Sequence, residues 1–135
     1  MGRSGLILLD THVVIWLVSD IEKLSAVAEK RLNNARKEGE ALAISCISLW
    51  EIALLVEKKR IELGTTLESF LQELELRFLV LPITAKTCLR LLELPTRFPK
   101  DPADRIIGAT ALGEGLSLVS ADGNILASQA VPVVW

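Results

Sequence analysis

The sequence predicts an α/β fold, a three-layer sandwich in which a central parallel sheet of about five short strands is covered by helices on both faces. Two observations carry this expectation. Short, wholly apolar runs such as Leu6-Ile7-Leu8-Leu9 mark strands buried on both faces. These runs alternate with helical patterns, and no repeat or low-complexity segment interrupts the alternation. With 135 residues, half of them apolar and 24% charged, the chain is expected to form one domain, 1–135, with a sizeable core rather than a disordered ensemble.

After the strand Leu6–Leu9, Asp10-Thr11 opens a short helix through Val13, Val14, Trp16 and Leu17. Ser25 caps a charged helix from Ala26 to about Lys37, closed by Gly39. Leu42-Ala43-Ile44 reads as a second strand. Ser48 then begins a helix that ends in Lys58-Lys59-Arg60, where basic residues suit the helix dipole. Thr66 starts a helix over Leu67–Arg77, with Phe70, Leu71 and Leu74 at helical spacing. Phe78 to Leu81 is a strand and Ala85 to Glu93 a helix, after which Pro95 and Pro99 bracket a loop. Asp101-Pro102 starts a helix that runs to Glu114 and stops at Gly115. Leu116–Val119 is a strand, Asn124–Ala127 a single helical turn and Val131–Val134 the last strand.

The formal charge of -2 supplies no global field for nucleic acid, so any RNA site must be local. Cys46 and Cys88 lie far apart among apolar neighbours, without a CxxC pair or Cys/His cluster. They are expected to be reduced core thiols of a cytoplasmic protein, not zinc ligands or a redox pair. Arg3 followed by an apolar run resembles a signal peptide in outline. The run from Leu6 to Val18 is nevertheless broken by Asp10, lacks a small-residue cleavage site and is too short to span a bilayer. The expectation is a soluble, non-exported protein with no membrane partner.

The chemistry shows in where charge is missing. Asp10 is the only charged residue from Leu6 to Val18, Glu51 the only one from Ala41 to Val56, and Asp122 the only one from Leu116 to Trp135. A lone carboxylate in an apolar segment is costly to bury, and no Lys or Arg of the same segment offers a partner. Asp10 and Asp122 follow strands, at the carboxyl edge where open α/β sheets place ligands. Glu51 lies about one turn into a helix that follows a strand, and Asp104 lies in the first turn of another. Four carboxylates around one cleft suit a hard cation such as Mg²⁺ or Mn²⁺.

Each residue also has a purely structural reading. Asp10 can serve as an N-cap, Asp122-Gly123 as a turn, Asp101 as an N-cap and Asp104 as a capping-box carboxylate. Glu51 has the weakest such reading, because Leu49, Trp50, Ile52, Ala53, Leu54 and Leu55 leave its helix no polar face. Jointly the four favour a metal site. His12 is the only histidine and there is no tyrosine, which removes a two-histidine ribonuclease and a tyrosine nucleophile. No GxSxG, Walker A or GxGxxG motif occurs. His12, in an apolar helix, is expected to be a satisfied core residue.

Leu9-Asp10-Thr11-His12, Ser48-Leu49-Trp50-Glu51-Ile52, Asp101-Pro102-Ala103-Asp104-Arg105 and Val119-Ser120-Ala121-Asp122 resemble, in order and spacing, the motifs of bacterial PIN-domain proteins, most closely toxins of the VapC type. The resemblance covers essentially the whole chain. It departs at Ala103, where this subgroup often carries an aromatic, and near Pro99, where it often carries a histidine. It implies a Mg²⁺- or Mn²⁺-dependent endoribonuclease, a homodimer, RNA as substrate and a co-expressed antitoxin that covers the groove. It carries the acidic ligands onto Asp10, Glu51, Asp104 and Asp122, with Thr11 and Ser120 in support and Asp101 at most accessory. Expected backbone contacts for RNA are Lys58, Lys59, Arg60, Lys100 and Arg105, and Arg105 is also a candidate partner for a carboxylate. Two rival readings remain beside it. A receiver-like phospho-acceptor domain needs an acidic pair after the first strand and a lysine near the last, and the chain has neither. A PIN-like scaffold that binds RNA or a partner without catalysis would have no need of all four carboxylates.

Overall fold

Leu6–Leu9 forms the first strand, β1, in the middle of a five-stranded sheet. The computed structural model describes residues 6–135. Arg3, weighed above as part of a leader-like stretch, lies outside the described residues. The remaining strands are β2 (Ala41–Ser45), β3 (Leu79–Leu81), β4 (Ser117–Val119) and β5 (Val133–Val134). Every pairing is parallel, in the order β3-β2-β1-β4-β5.

Seven helices of the described residues cover this sheet: α1 (Thr11–Ser19), α2 (Ala26–Lys37), α3 (Cys46–Glu57), α4 (Leu67–Arg77), α5 (Ala85–Leu91), α6 (Pro102–Glu114) and α7 (Gly123–Ser128). The alternation of strand side chains sorts them into two layers. Ile7, Leu9, Leu42, Ile44 and Val119 point into one core with residues of α1, α2, α3 and α4. Leu6, Leu8, Ala43 and Leu118 point into the other, with Phe98 and residues of α6 and α7. The predicted three-layer sandwich is therefore the observed architecture.

The winding of the chain places a crevice. From β1 the chain steps outward to β2 and β3, then returns to β4 on the opposite flank of β1. Parallel sheets open a ligand crevice where the winding reverses, outside the carboxyl ends of the strands. That border lies between β1 and β4, and Asp10 N donates across it to Val119 O at 3.0 Å.

Several boundaries differ from expectation. The third helix begins at Cys46, directly from β2, because Ser45 rather than Ser48 caps it by accepting from Ile47 N at 3.2 Å. It ends at Glu57. Lys58-Lys59-Arg60 follow as a turn, with Lys59 in the left-handed region at φ 57°. A 3-10 turn at Ile21–Lys23 has no counterpart in the sequence reading. The strands Leu79–Leu81, Ser117–Val119 and Val133–Val134 are shorter than the apolar runs that announced them. Neither cysteine is a core thiol: Cys46 is half-buried and Cys88 exposed, and both are free. Burial depends on which helix face meets the sheet, and Cys88 lies on the outward face of α5.

Helix α6 is held close to the preceding loop by a missing side chain. A Cβ at Gly108 would overlap the buried Phe98 ring, so this mid-helix glycine lets the ring lie directly against the helix backbone. That contact fixes the helix whose first turn carries Asp104.

Candidate active site

At the β1/β4 border, Asp10, Glu51, Asp101, Asp104 and Asp122 line one cleft of about 510 Å³ together with His12, Trp16 and Ala121. The four carboxylates singled out by the sequence therefore share one face of the molecule. Their structural and chemical readings turn out to be compatible. Asp10 caps α1 through Oδ1, which accepts from Thr11 N at 2.9 Å, while Oδ2 accepts from Ser120 Oγ at 2.7 Å. Asp122 caps α7 through Oδ1 alone, which accepts from Asn124 N and Ile125 N. Asp101 is the N-cap of α6, accepting from Asp104 N at 3.1 Å. Asp104 itself contributes its carboxylate to the cleft wall.

Two hydroxyl contacts position these acids. Ser120 donates to Asp10 and accepts from Asp122 N at 3.1 Å, so one side chain ties the end of β1 to the loop after β4. Thr11 Oγ1 lies 2.8 Å from Ser48 Oγ, both buried, and locks α1 to α3. Ser48 and Glu51 are three apart and share a helix face, so this contact turns Glu51 toward Asp10. Ser48 thus has a positioning role that its neighbour in the motif, Glu51, had hidden. Among the described residues no buried side-chain nitrogen or oxygen is left without a partner.

The electrostatics are those of crowded acids. Asp10, 7% exposed, has its pKa raised, first by burial and slightly by Asp122; Ser120, the Thr11 amide and His12 act against the rise. Glu51 is raised by burial and by Asp10 and Asp101, with the Thr11 hydroxyl opposing. Asp104 is pushed up to about 7, by burial and then by the charges of Asp10, Asp101, Asp122 and Glu51. Among the described residues no Lys or Arg lines the cleft. Four neighbouring carboxylates form an all-oxygen donor set of the kind hard divalent cations take. Among the described residues no three or more Asp, Glu, His or Cys side chains stand together as a group that could hold a metal ion by themselves. What speaks for Mg²⁺ is the chemistry of the donors: that ion takes oxygen ligands, needs only one or two carboxylates, and completes its shell with waters and phosphate oxygens. The residues present fit such an ion.

Other expectations change. His12 is exposed at the cleft rim instead of being a core residue, because the first turn of α1 borders the crevice. Arg105 is half-buried and donates to Leu91 O at 3.2 Å, so its guanidinium is turned away from the carboxylates it was expected to pair with. Of the expected basic contacts, Lys58, Lys59, Lys100 and Arg105 do not line the cleft. Arg60 lines an adjoining cavity with Lys23, which sequence reasoning passed over, and with His12 and Trp16. Only the path of the turn after α3 brings Arg60 there, and no local pattern announces it.

The PIN domain family model matches residues 7–130. Ribonuclease VapC22 from Mycobacterium tuberculosis is 38% identical over 116 residues, covering 86% of each chain. The structure resembles that of VapBC2 from Rickettsia felis bound to a DNA fragment from their promoter, with a TM-score of 0.71, 19% identity and coverage of 95% of this chain and 96% of that one. It also resembles VapBC-5 from Mycobacterium tuberculosis, a member of the VapBC family of toxin-antitoxin systems, with a TM-score of 0.62, 16% identity and coverage of 96% and 97%.

Proposed function

The chain belongs to the PIN-domain family, and on that premise we propose that it is a divalent-metal-dependent endoribonuclease, the toxin of a toxin–antitoxin pair. The reading rests on one observation above the others: Asp10, Glu51, Asp104 and Asp122 line a single cleft whose lining includes no Lys or Arg among the described residues. The name of the VapC22 relative, a ribonuclease, supports the reaction class. The toxin–antitoxin assemblies among the structural neighbours support an antitoxin as partner.

In this reading Asp10, Glu51, Asp104 and Asp122 hold Mg²⁺ or Mn²⁺. Bound there, such a cation would supply charge neutralisation at the scissile phosphate and a lowered pKa for an attacking water. Asp10 is the fixed point, held by the Ser120 hydroxyl and the Thr11 amide so that its orientation does not depend on the ion. Glu51, Asp104 and Asp122, all half-buried, face it from three other elements and leave room for phosphate oxygens. Water attacks phosphorus opposite the 3′-oxygen; the new P–O bond forms as the P–O3′ bond breaks, the attacking water gives up a proton to solvent and the departing 3′-oxygen takes one from solvent, leaving a 5′-phosphate and a 3′-hydroxyl. Asp101 keeps to its capping role and adds charge from the rim.

The same reading carries a homodimer, for which the exposed Leu89 and Leu92 on and after α5 offer apolar surface, and a cytoplasmic location. Among the described residues no helix is long and apolar enough to cross a membrane. The test is cleavage of RNA by the purified protein with Mg²⁺ or Mn²⁺. Asp10→Asn and EDTA are each expected to abolish it, and Asp10→Asn to relieve any growth arrest on expression. Undiminished cleavage in either case would reject the metal mechanism.

A further inference from the structure

The second cavity, about 490 Å³, shares His12 and Trp16 with the carboxylate cleft, so the two are adjacent compartments separated by these rings. Its remaining wall includes Lys23 and Arg60, set against Asp20 and Glu62. Resting on the ribonuclease reading above, we propose that this cavity is a nucleobase subsite: an unpaired nucleotide of single-stranded RNA next to the scissile phosphate stacks its base on Trp16, with Lys23 and Arg60 holding its backbone.

Three features carry the assignment. First, the aromatic wall is built rather than incidental. Trp16 contacts two other rings, His12 with centroids 5.9 Å apart and Trp135 at 5.7 Å. The two contacts are tilted, at 51° and 48°, so neither neighbour covers the Trp16 ring as a parallel plate would. Trp135 follows β5 directly, so the ring on α1 is met by one from a distant part of the sequence. Second, the charges in the cavity balance: Lys23 lies 3.6 Å from Asp20, and Arg60 is matched by Glu62 in the lining. Attraction for phosphate alone therefore does not explain the cavity, and stacking, which every base permits, has to supply much of the hold. Third, an acidic cleft repels a polyanion until a cation is bound. A contact on the base, one compartment away, lets the chain hold RNA without relying on the carboxylates. Double-stranded RNA keeps its bases stacked inside the helix and cannot use such a wall.

The experiment uses the full chain with Trp50→Phe, so that only the paired Trp16 and Trp135 fluoresce, and Asp10→Asn to prevent cleavage, in EDTA. Single-stranded oligoadenylate is expected to quench the emission of this pair, and a ribose-phosphate oligomer without bases is expected not to. In the Asp10→Asn protein that keeps its other tryptophans, Trp16→Leu should weaken oligoadenylate binding by about five-fold to a hundred-fold, the range for loss of one base–aromatic stack. Because Trp16 also packs against the core, Arg60→Ala is the second arm. Arg60 is exposed, and its loss should weaken binding and lower the salt slope by about one. Unchanged emission with RNA bound, or unchanged affinity in both Trp16→Leu and Arg60→Ala, would overturn the subsite. Metal-dependent cleavage in the parent protein beside either of those results sinks the subsite and leaves the nuclease standing. Quenching with a cleavage-inactive parent sinks the nuclease and leaves the subsite standing.

Discussion

Ser120 Oγ donates to Asp10 Oδ2 at 2.7 Å, joining residues 110 positions apart at the border where the sheet's winding reverses. Ser120 is 1% exposed, so this bond forms out of water and holds the most buried acid of the cleft in one orientation. Hydroxyls that orient a metal-binding carboxylate commonly matter nearly as much as the ligand. Ser120→Ala is expected to weaken Mn²⁺ binding by about ten-fold to a hundred-fold, as read by isothermal titration, with the fold retained. An unchanged affinity would remove Ser120 from the site.

The acids should make the metal-free protein less stable as pH rises. Asp104 has its folded-state value raised from 3.8 to about 7, and Asp10 and Glu51 are raised in the same direction. The native chain therefore binds protons that the unfolded chain has released. The stability this confers is fully present below the ordinary carboxylate range and is lost as pH rises through about 7. Thermal denaturation in EDTA should show the melting temperature falling between roughly pH 4 and pH 7. Saturating Mg²⁺ or Mn²⁺ should offset the fall at the upper end, since a ligand that binds only the folded state stabilises it.

Asp104→Asn separates stability from activity. It removes one of several mutually repelling charges while keeping the shape of the side chain. The expected result is a metal-free protein more stable at pH 7.5 by up to on the order of 1 kcal/mol, a modest gain because Asp104 is only half-buried and solvent screens it. Metal-dependent cleavage should fall at least about a hundred-fold, as befits loss of transition-state charge stabilisation. Loss of stability together with activity would mean that Asp104 serves the fold instead.

Gly108→Ala tests how α6 is held. Alanine favours a helix by about 1 kcal/mol over glycine, but its Cβ would overlap the Phe98 ring. Overpacking of that kind costs about 1–3 kcal/mol, so the clash should win and urea denaturation should show net destabilisation. Cleavage should also fall, because displacing α6 displaces Asp104. A more stable Gly108→Ala protein would show that the loop around Phe98 yields freely.

Where structure is decided locally, the sequence was legible. Helix α6 runs from Pro102 to Glu114 as expected, because Asp101 caps it, Pro102 suits its first position and Gly115 closes it at φ 66°. Helix α4 likewise starts after its Thr66 cap. The start of α3 was misplaced because Ser45 and Ser48 are equally good caps by sequence, and only the Thr11–Ser48 contact tells them apart. The lone carboxylates stood out because apolar segments isolate them. The surroundings of His12, Arg105, Trp16 and Lys23 were not legible, since each depends on how an element packs against a distant one. Sequence spacing carries no record of which side of α1 the turn at residues 60–64 approaches.

The most direct measurement is anomalous scattering from crystals soaked in Mn²⁺. The expected result is a peak in the β1/β4 crevice within ligand distance of Asp10 and at least one of Glu51, Asp104 and Asp122, and its loss in Asp10→Asn crystals. A fully bound ion at some other place, with the crevice empty at saturating Mn²⁺, would contradict a shared metal site for these carboxylates.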